Sequence, residues 1–162
     1  TYLVEGAKSL SGSERNIFDI LVSFVESYNY HNGLYILKHN KPGSDAINEV
    51  TFKLKAKNDK FLPKYKDLYI GEVEVNDFKI HSDIADGAIA LNYGGIIFDD
   101  HRYVKTAYPE QVCEEAKTGA GHIFLASASL HPEITAFVCS AEKRTVQTFK
   151  MGKLAKQYKI GK

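Results

Sequence analysis

Ser11 to Tyr28 reads SGSERNIFDILVSFVESY, and the reading of this stretch decides the fold class. Ser11 and Glu14 have the S-x-x-E spacing of a capping box, in which each side chain satisfies a free backbone N–H of the other residue. Ile17, Ile20, Leu21, Phe24, Val25 and Tyr28 then recur at helical intervals. Phe18 and Val22 widen the apolar stripe, and Asp19, Ser23 and Glu26 are left for solvent. The spacing predicts an amphipathic helix over Gly12 to Asn29, stopped at His31-Asn32-Gly33, with one face on a core.

Most of the chain beyond this helix reads as strands. Leu34 to His39 is short and apolar, and Glu49 to Lys57 alternates. Leu68 to Val75 meets Phe78 to His81 across Asn76-Asp77, and Ala88 to Tyr93 meets Ile96 to Phe98 across Gly94-Gly95. Pro109 opens a second short helix near 109–117, because proline suits the first helical turn. Thr118-Gly119-Ala120-Gly121 is read as the stop of that helix, since a phosphate-binding loop needs its helix after the glycines. Gly121 to Leu130, Ile134 to Ser140 and Thr145 to Lys150 supply three more strands. The expected class is α+β, a mainly antiparallel sheet packed against the N-terminal helix without long βαβ crossovers. A chain of 162 residues suits a single domain. Residues 1–142 are expected to form its globular body, and 143–162 its final strand and basic C-terminal tail.

Composition excludes several classes. With 44% hydrophobic and 25% charged residues the chain can build a core, which argues against disorder. No apolar run approaches the length of a membrane helix, and the opening residues lack a leader's basic flank and apolar stretch, so a cytoplasmic location is expected. Two cysteines, Cys113 and Cys139, fall short of a disulfide framework and are read as buried thiols.

The net charge of +1 conceals a segregation. Residues 51–70 carry six basic and two acidic groups, residues 71–142 four and twelve, and residues 143–162 seven and none. Lys53, Lys55, Lys57, Lys60, Lys64 and Lys66 are interleaved with Phe52, Phe61, Tyr65 and Tyr69. Lysines compensate phosphate charge while aromatic rings stack on unpaired bases. Lys143, Arg144, Lys150, Lys153 and Lys156 head a second basic block, read as a flexible tail able to condense on a polyanion. The leading expectation is therefore a small non-catalytic binding protein whose partner is nucleic acid or an acidic protein surface and not a membrane. Eighteen lysines against three arginines favour phosphate contacts over base readout.

A second expectation is enzymatic. His81, Asp83 and Asp86 form one cluster, and Asp99, Asp100 and His101 follow the apolar run Ile96-Ile97-Phe98. Imidazoles and carboxylates at strand ends hold divalent metals for phosphoester cleavage. On this reading a metal-dependent phosphodiesterase or nuclease uses His81, Asp83, Asp99, Asp100 and His101 in catalysis, and Asp83, Asp86, Asp99 and Asp100 as metal ligands. No cofactor is expected beyond that metal. Asp67 with Asp77-Phe78-Lys79 resembles the acid-then-D-x-K arrangement of restriction-endonuclease-type nucleases, which likewise implies a bound divalent metal.

Leu3-Val4-Glu5-Gly6 resembles the short site cut by prohead proteases of T4-type bacteriophages. That resemblance implies a small phage protein and motivates a third expectation, a protein-interaction module that modulates a host protein.

Overall fold

The capping box closes as its spacing requires: the Glu14 N–H donates to Ser11 Oγ at 3.2 Å, and the Ser11 N–H donates to Glu14 Oε1 at 2.7 Å. The computed structural model describes residues 2–5, 10–27, 32–55, 59–84, 86–140 and 144–160. From the cap, helix α1 runs over Gly12–Ser27 and buries Ile17, Phe18, Leu21, Phe24 and Val25. His31 of the expected stop lies outside the described residues, as do Lys57, Lys143 and Gly6.

The described strands are β1 (Tyr2–Glu5), β2 (Leu34–His39), β3 (Thr51–Lys53), β4 (Ala88–Leu91), β5 (Ile97–Val104), β6 (Ile134–Ser140), β7 (Thr145–Lys150) and β8 (Lys153–Lys159). They form one sheet in the order β1-β8-β7-β6-β2-β4-β5-β3. Its central strands are covered on both faces, which explains their nearly continuous apolar sequences. Phe137 and Cys139 of β6 join Ile36 of β2, Ile89 of β4 and the apolar face of α1. The alternate residues Ala136 and Val138 join Leu37, Ala88 and Ala90 beneath Leu125 and Ala126. The α+β class and the packing of the sheet on the N-terminal helix are as the sequence predicts.

Several local expectations are corrected. Strands β2 and β4 run parallel, Ile36 opposite Ile89, so a long crossover exists after all. It carries α2 (Ala46–Val50), the edge strand β3, α3 (Phe61–Tyr65) and α4 (Val75–Ile84). The expected strand Glu49 to Lys57 shrinks to β3, because Ala46 and Ile47 are buried by the helix α2 that precedes it. The hairpin expected across Asn76-Asp77 is instead a 3-10 turn at Ile70–Glu72 followed by α4. Phe78, His81 and Ser82, spaced i, i+3 and i+4, bury one helical side, and Asp77 stands in the first turn where the helix dipole favours an acid.

The strand expected over Gly121 to Leu130 is α5 (Ala120–Ala128), so the glycines before it open a helix and stop none. Leu125, Ala126, Ser127 and Ala128 are buried by it. The segment 109–117 is helical in two 3-10 turns, Pro109–Gln111 and Glu114–Ala116. The segment read as a flexible tail forms β8, paired with both β7 and β1.

Candidate functional site

Strand β5 brings the second acidic cluster into the interior. His101 has φ 50°, in the left-handed region, and with that twist two successive side chains, Asp100 and His101, are both buried. Strict strand alternation would send one of them outward. Gly87 makes the close approach to this turn: a Cβ there would stand 2.8 Å from the His101 Cα.

His81 reaches the same place from α4, and Asp59 from the segment that leads into α3. One ligand atom from each of Asp59, His81, Asp100 and His101 lies within 4.8 Å of the others. His101 Nε2 is 3.7 Å from Asp100 Oδ2 and 3.8 Å from Asp59 Oδ2. The Phe61 ring packs on His81, with centroids 4.5 Å apart. The sequence-predicted set therefore divides. His81, Asp100 and His101 come together, joined by Asp59, which the sequence reading missed for want of any local motif around it.

The other members point elsewhere. Asp99 accepts hydrogen bonds from Lys53 Nζ and from Arg102 Nε, the latter at 2.8 Å. Asp83 is exposed on α4, 3.9 Å from Lys79, and Asp86 is exposed and lines a separate cavity. Asp77 of the nuclease-like trio pairs with Lys64 and the Tyr65 hydroxyl.

Burial dominates the electrostatics of the cluster. It pushes the Asp100 carboxyl up to about 7, reinforced by the facing Asp59 carboxylate and opposed by Lys53. For Asp59 burial acts in the same direction, but the facing Asp100 carboxyl and hydrogen bonds from the backbone N–H groups of Phe61 and Leu62 outweigh it and hold this carboxyl low. Burial, with the neighbouring His101, pulls His81 down to about 4, so its ring is neutral. A site that cleaves a phosphodiester needs an open coordination position. Here His81, Asp100 and His101 are 2%, 0% and 4% exposed, and Asp59 is the partly exposed member of the cluster.

An accessible concavity lies on the other side of β5. It encloses about 500 Å³ between Tyr35 of β2, Phe52 of β3, Tyr103 of β5 and Phe124 of α5, with Asp86, Arg102 and Lys105 at its rim. Phe52 and Tyr103 are stacked, with centroids 5.7 Å apart and planes 21° apart. Gly121, in the first turn of α5, faces the same space, and a Cβ on it would fall 2.6 Å from the Tyr35 hydroxyl oxygen. Burial first and then the Asp86 charge raise the pKa of both tyrosines, so they remain neutral hydrogen-bonding phenols. Arg102, ion-paired with Asp99, and Lys105 line the same cavity.

The described members of the predicted nucleic-acid-binding set divide between the two ends of the sheet. Strand β3, which carries Lys53, is one edge of the sheet, whereas β8, with Lys153 and Lys156, lies next to the other edge. Lys53 is paired with Asp99 and Asp100, Lys64 with Asp77, and Lys150 with the buried Glu14. Lys156 stands 4.9 Å over the Phe18 ring. Lys55, Lys60, Lys66 and Lys153 are exposed, and Arg144 is half-buried.

No protein-family model matches the chain, and no curated protein matches it. Among solved structures the chain is similar to DacA from Staphylococcus aureus, with a TM-score of 0.55 and 16% identity over 93% of this chain and 91% of that one. It is also similar to a hypothetical membrane spanning protein from Bacillus cereus, with a TM-score of 0.51 and 15% identity, covering 91% of this chain and 61% of that one. At these identities the likeness establishes a shared fold. Among the described residues no helix is long and apolar enough to cross a membrane.

Proposed function

We propose that this chain is a small binding protein for a phosphate-bearing nucleotide, seated in the cavity between Tyr35, Phe52, Tyr103 and Phe124. The phosphate-bearing class of ligand is the one its basic sequence suggests, but the site moves from the lysine blocks to the cavity. The observation that carries this reading is the cavity lining, where Gly121 in the first turn of α5 meets the same space as Arg102, Lys105 and the aromatic rings. Backbone N–H groups at a helix start, unobstructed by side chains, favour an anion there. The aromatic walls provide stacking surfaces for a base, worth about 1–3 kcal/mol each.

Isothermal titration with ATP, ADP, GTP and adenosine tests it. One of the nucleotides is expected to bind more tightly than adenosine, and Phe124→Ser to weaken it about tenfold or more. Lys105→Gln is expected to weaken nucleotide but not nucleoside. Absence of binding by every nucleotide would overturn the proposal. A single-stranded oligonucleotide that competes for the cavity extends the ligand to nucleic acid; one whose binding survives both substitutions would return the polyanion site to the lysine segments.

A further inference from the structure

We infer that Asp59, His81, Asp100 and His101 form a closed site for one divalent transition-metal ion of the zinc type, whose role is to hold the fold together. This site is separate from the nucleotide cavity and does not depend on it.

Unsatisfied polar atoms point to an occupant. Both ring nitrogens of His81, Asp100 Oδ2 and His101 Nε2 are buried without a hydrogen-bond partner among the described residues. Native structures pair the great majority of such atoms, so the three that converge, one ring nitrogen of His81, Asp100 Oδ2 and His101 Nε2, require a shared partner. A metal ion accepts lone pairs from both imidazoles and both carboxylates at once, which no single hydrogen-bond donor does.

Spacing agrees. Zinc bonds of about 2.0–2.1 Å in a tetrahedron place neighbouring ligand atoms about 3.4 Å apart. The 3.7 and 3.8 Å separations around His101 Nε2, and the 4.8 Å limit for the whole set, require only a small contraction.

The surroundings also hold the ligands in position. Lys53 Nζ donates to Asp100 Oδ1 at 3.0 Å, and the Phe61 N–H donates to Asp59 Oδ1 at 3.0 Å. Each carboxylate thus has one oxygen engaged from behind and offers Oδ2 to the centre, the arrangement of ligands oriented by outer partners. The nearby Lys53 charge is itself offset by Asp99. Two imidazoles with two carboxylates suit zinc, cobalt or iron, whereas magnesium and calcium take six or more oxygens. The ligands come from the α3 approach, from α4 and from β5, so one ion would tie three separate elements together.

Chelator-treated protein titrated with zinc sulfate, followed by thermal unfolding, provides the test, and cobalt(II) absorption reports the geometry. At a hundredfold excess over Kd a Tm rise of about 5–10 °C is expected, with one ion per chain and the intense visible band of tetrahedral cobalt. Asp59→Asn and His81→Asn are expected to abolish both, and Asp83→Asn to retain both. Asp59 is at the rim, so its amide variant remains informative if the His81 variant fails to fold. No Tm rise and no cobalt band in the unsubstituted protein, or a full response in Asp59→Asn, would overturn the inference.

Discussion

Glu14 shows how one residue can serve two levels of structure. It closes the cap of α1 and, with its side chain 2% exposed, also accepts hydrogen bonds from Thr135 and Lys150 on β6 and β7. Burial pushes its carboxyl up, but the bonds from Thr135, Lys150 and Ser11 outweigh burial and hold it below the usual carboxylate range. A lowered native pKa contributes stability above the ordinary carboxyl pKa of about 4.3, and that stability is lost as pH falls through the native value. Denaturant unfolding is therefore expected to show the protein more stable than Glu14→Gln by about 2–3 kcal/mol at pH 7, with the gap closing in acid. A gap constant with pH would refute the assignment. Gly87→Ala belongs to the same scale: its Cβ would meet the His101 backbone at 2.8 Å, and a loss of about 1–3 kcal/mol is expected by the same measurement.

Among the elements, α1 contributes Ile17, Phe18, Leu21, Phe24 and Val25 to the core. Phe24 is fully buried and meets Phe78 of α4 edge to face at 5.8 Å. Phe24→Ala is expected to cost about 3–5 kcal/mol, read as a lowered denaturation midpoint at unchanged slope. Strand β8 makes the opposite case. Its lysine-rich sequence suggests a tail, yet pairing with β1 and β7 on both sides satisfies its backbone. Hydrogen exchange is expected to show the amides of residues 154–158 protected to the level of β7; exchange at free-peptide rates would contradict the pairing. The sequence reading missed α4 and α5 because each offers only a short apolar pattern. Val75–Ile84 and Ala120–Ala128 are short, and over so few residues a two-residue and a three-to-four-residue period are hard to separate.

At the scale of the whole molecule, the two lysine blocks lie at opposite ends of the strand order, and part of their charge is neutralised internally. If the cavity is the ligand site, replacing Lys153 with glutamine should leave nucleotide affinity unchanged in calorimetry while Lys105→Gln lowers it. A larger loss at Lys153 would relocate the site. The sequence by itself determined the α+β class, the capped helix α1, the strands β2, β6 and β7 and the Gly94-Gly95 hairpin, because cap spacing, turn glycines and apolar runs act between near neighbours in the chain. Only the tertiary structure decided the parallel pairing of β2 with β4, the cavity at the start of α5 and the company that Asp59 keeps with His81, Asp100 and His101. Those groups are brought together by packing two faces of one sheet, and contacts between residues distant in the chain leave no local pattern to read.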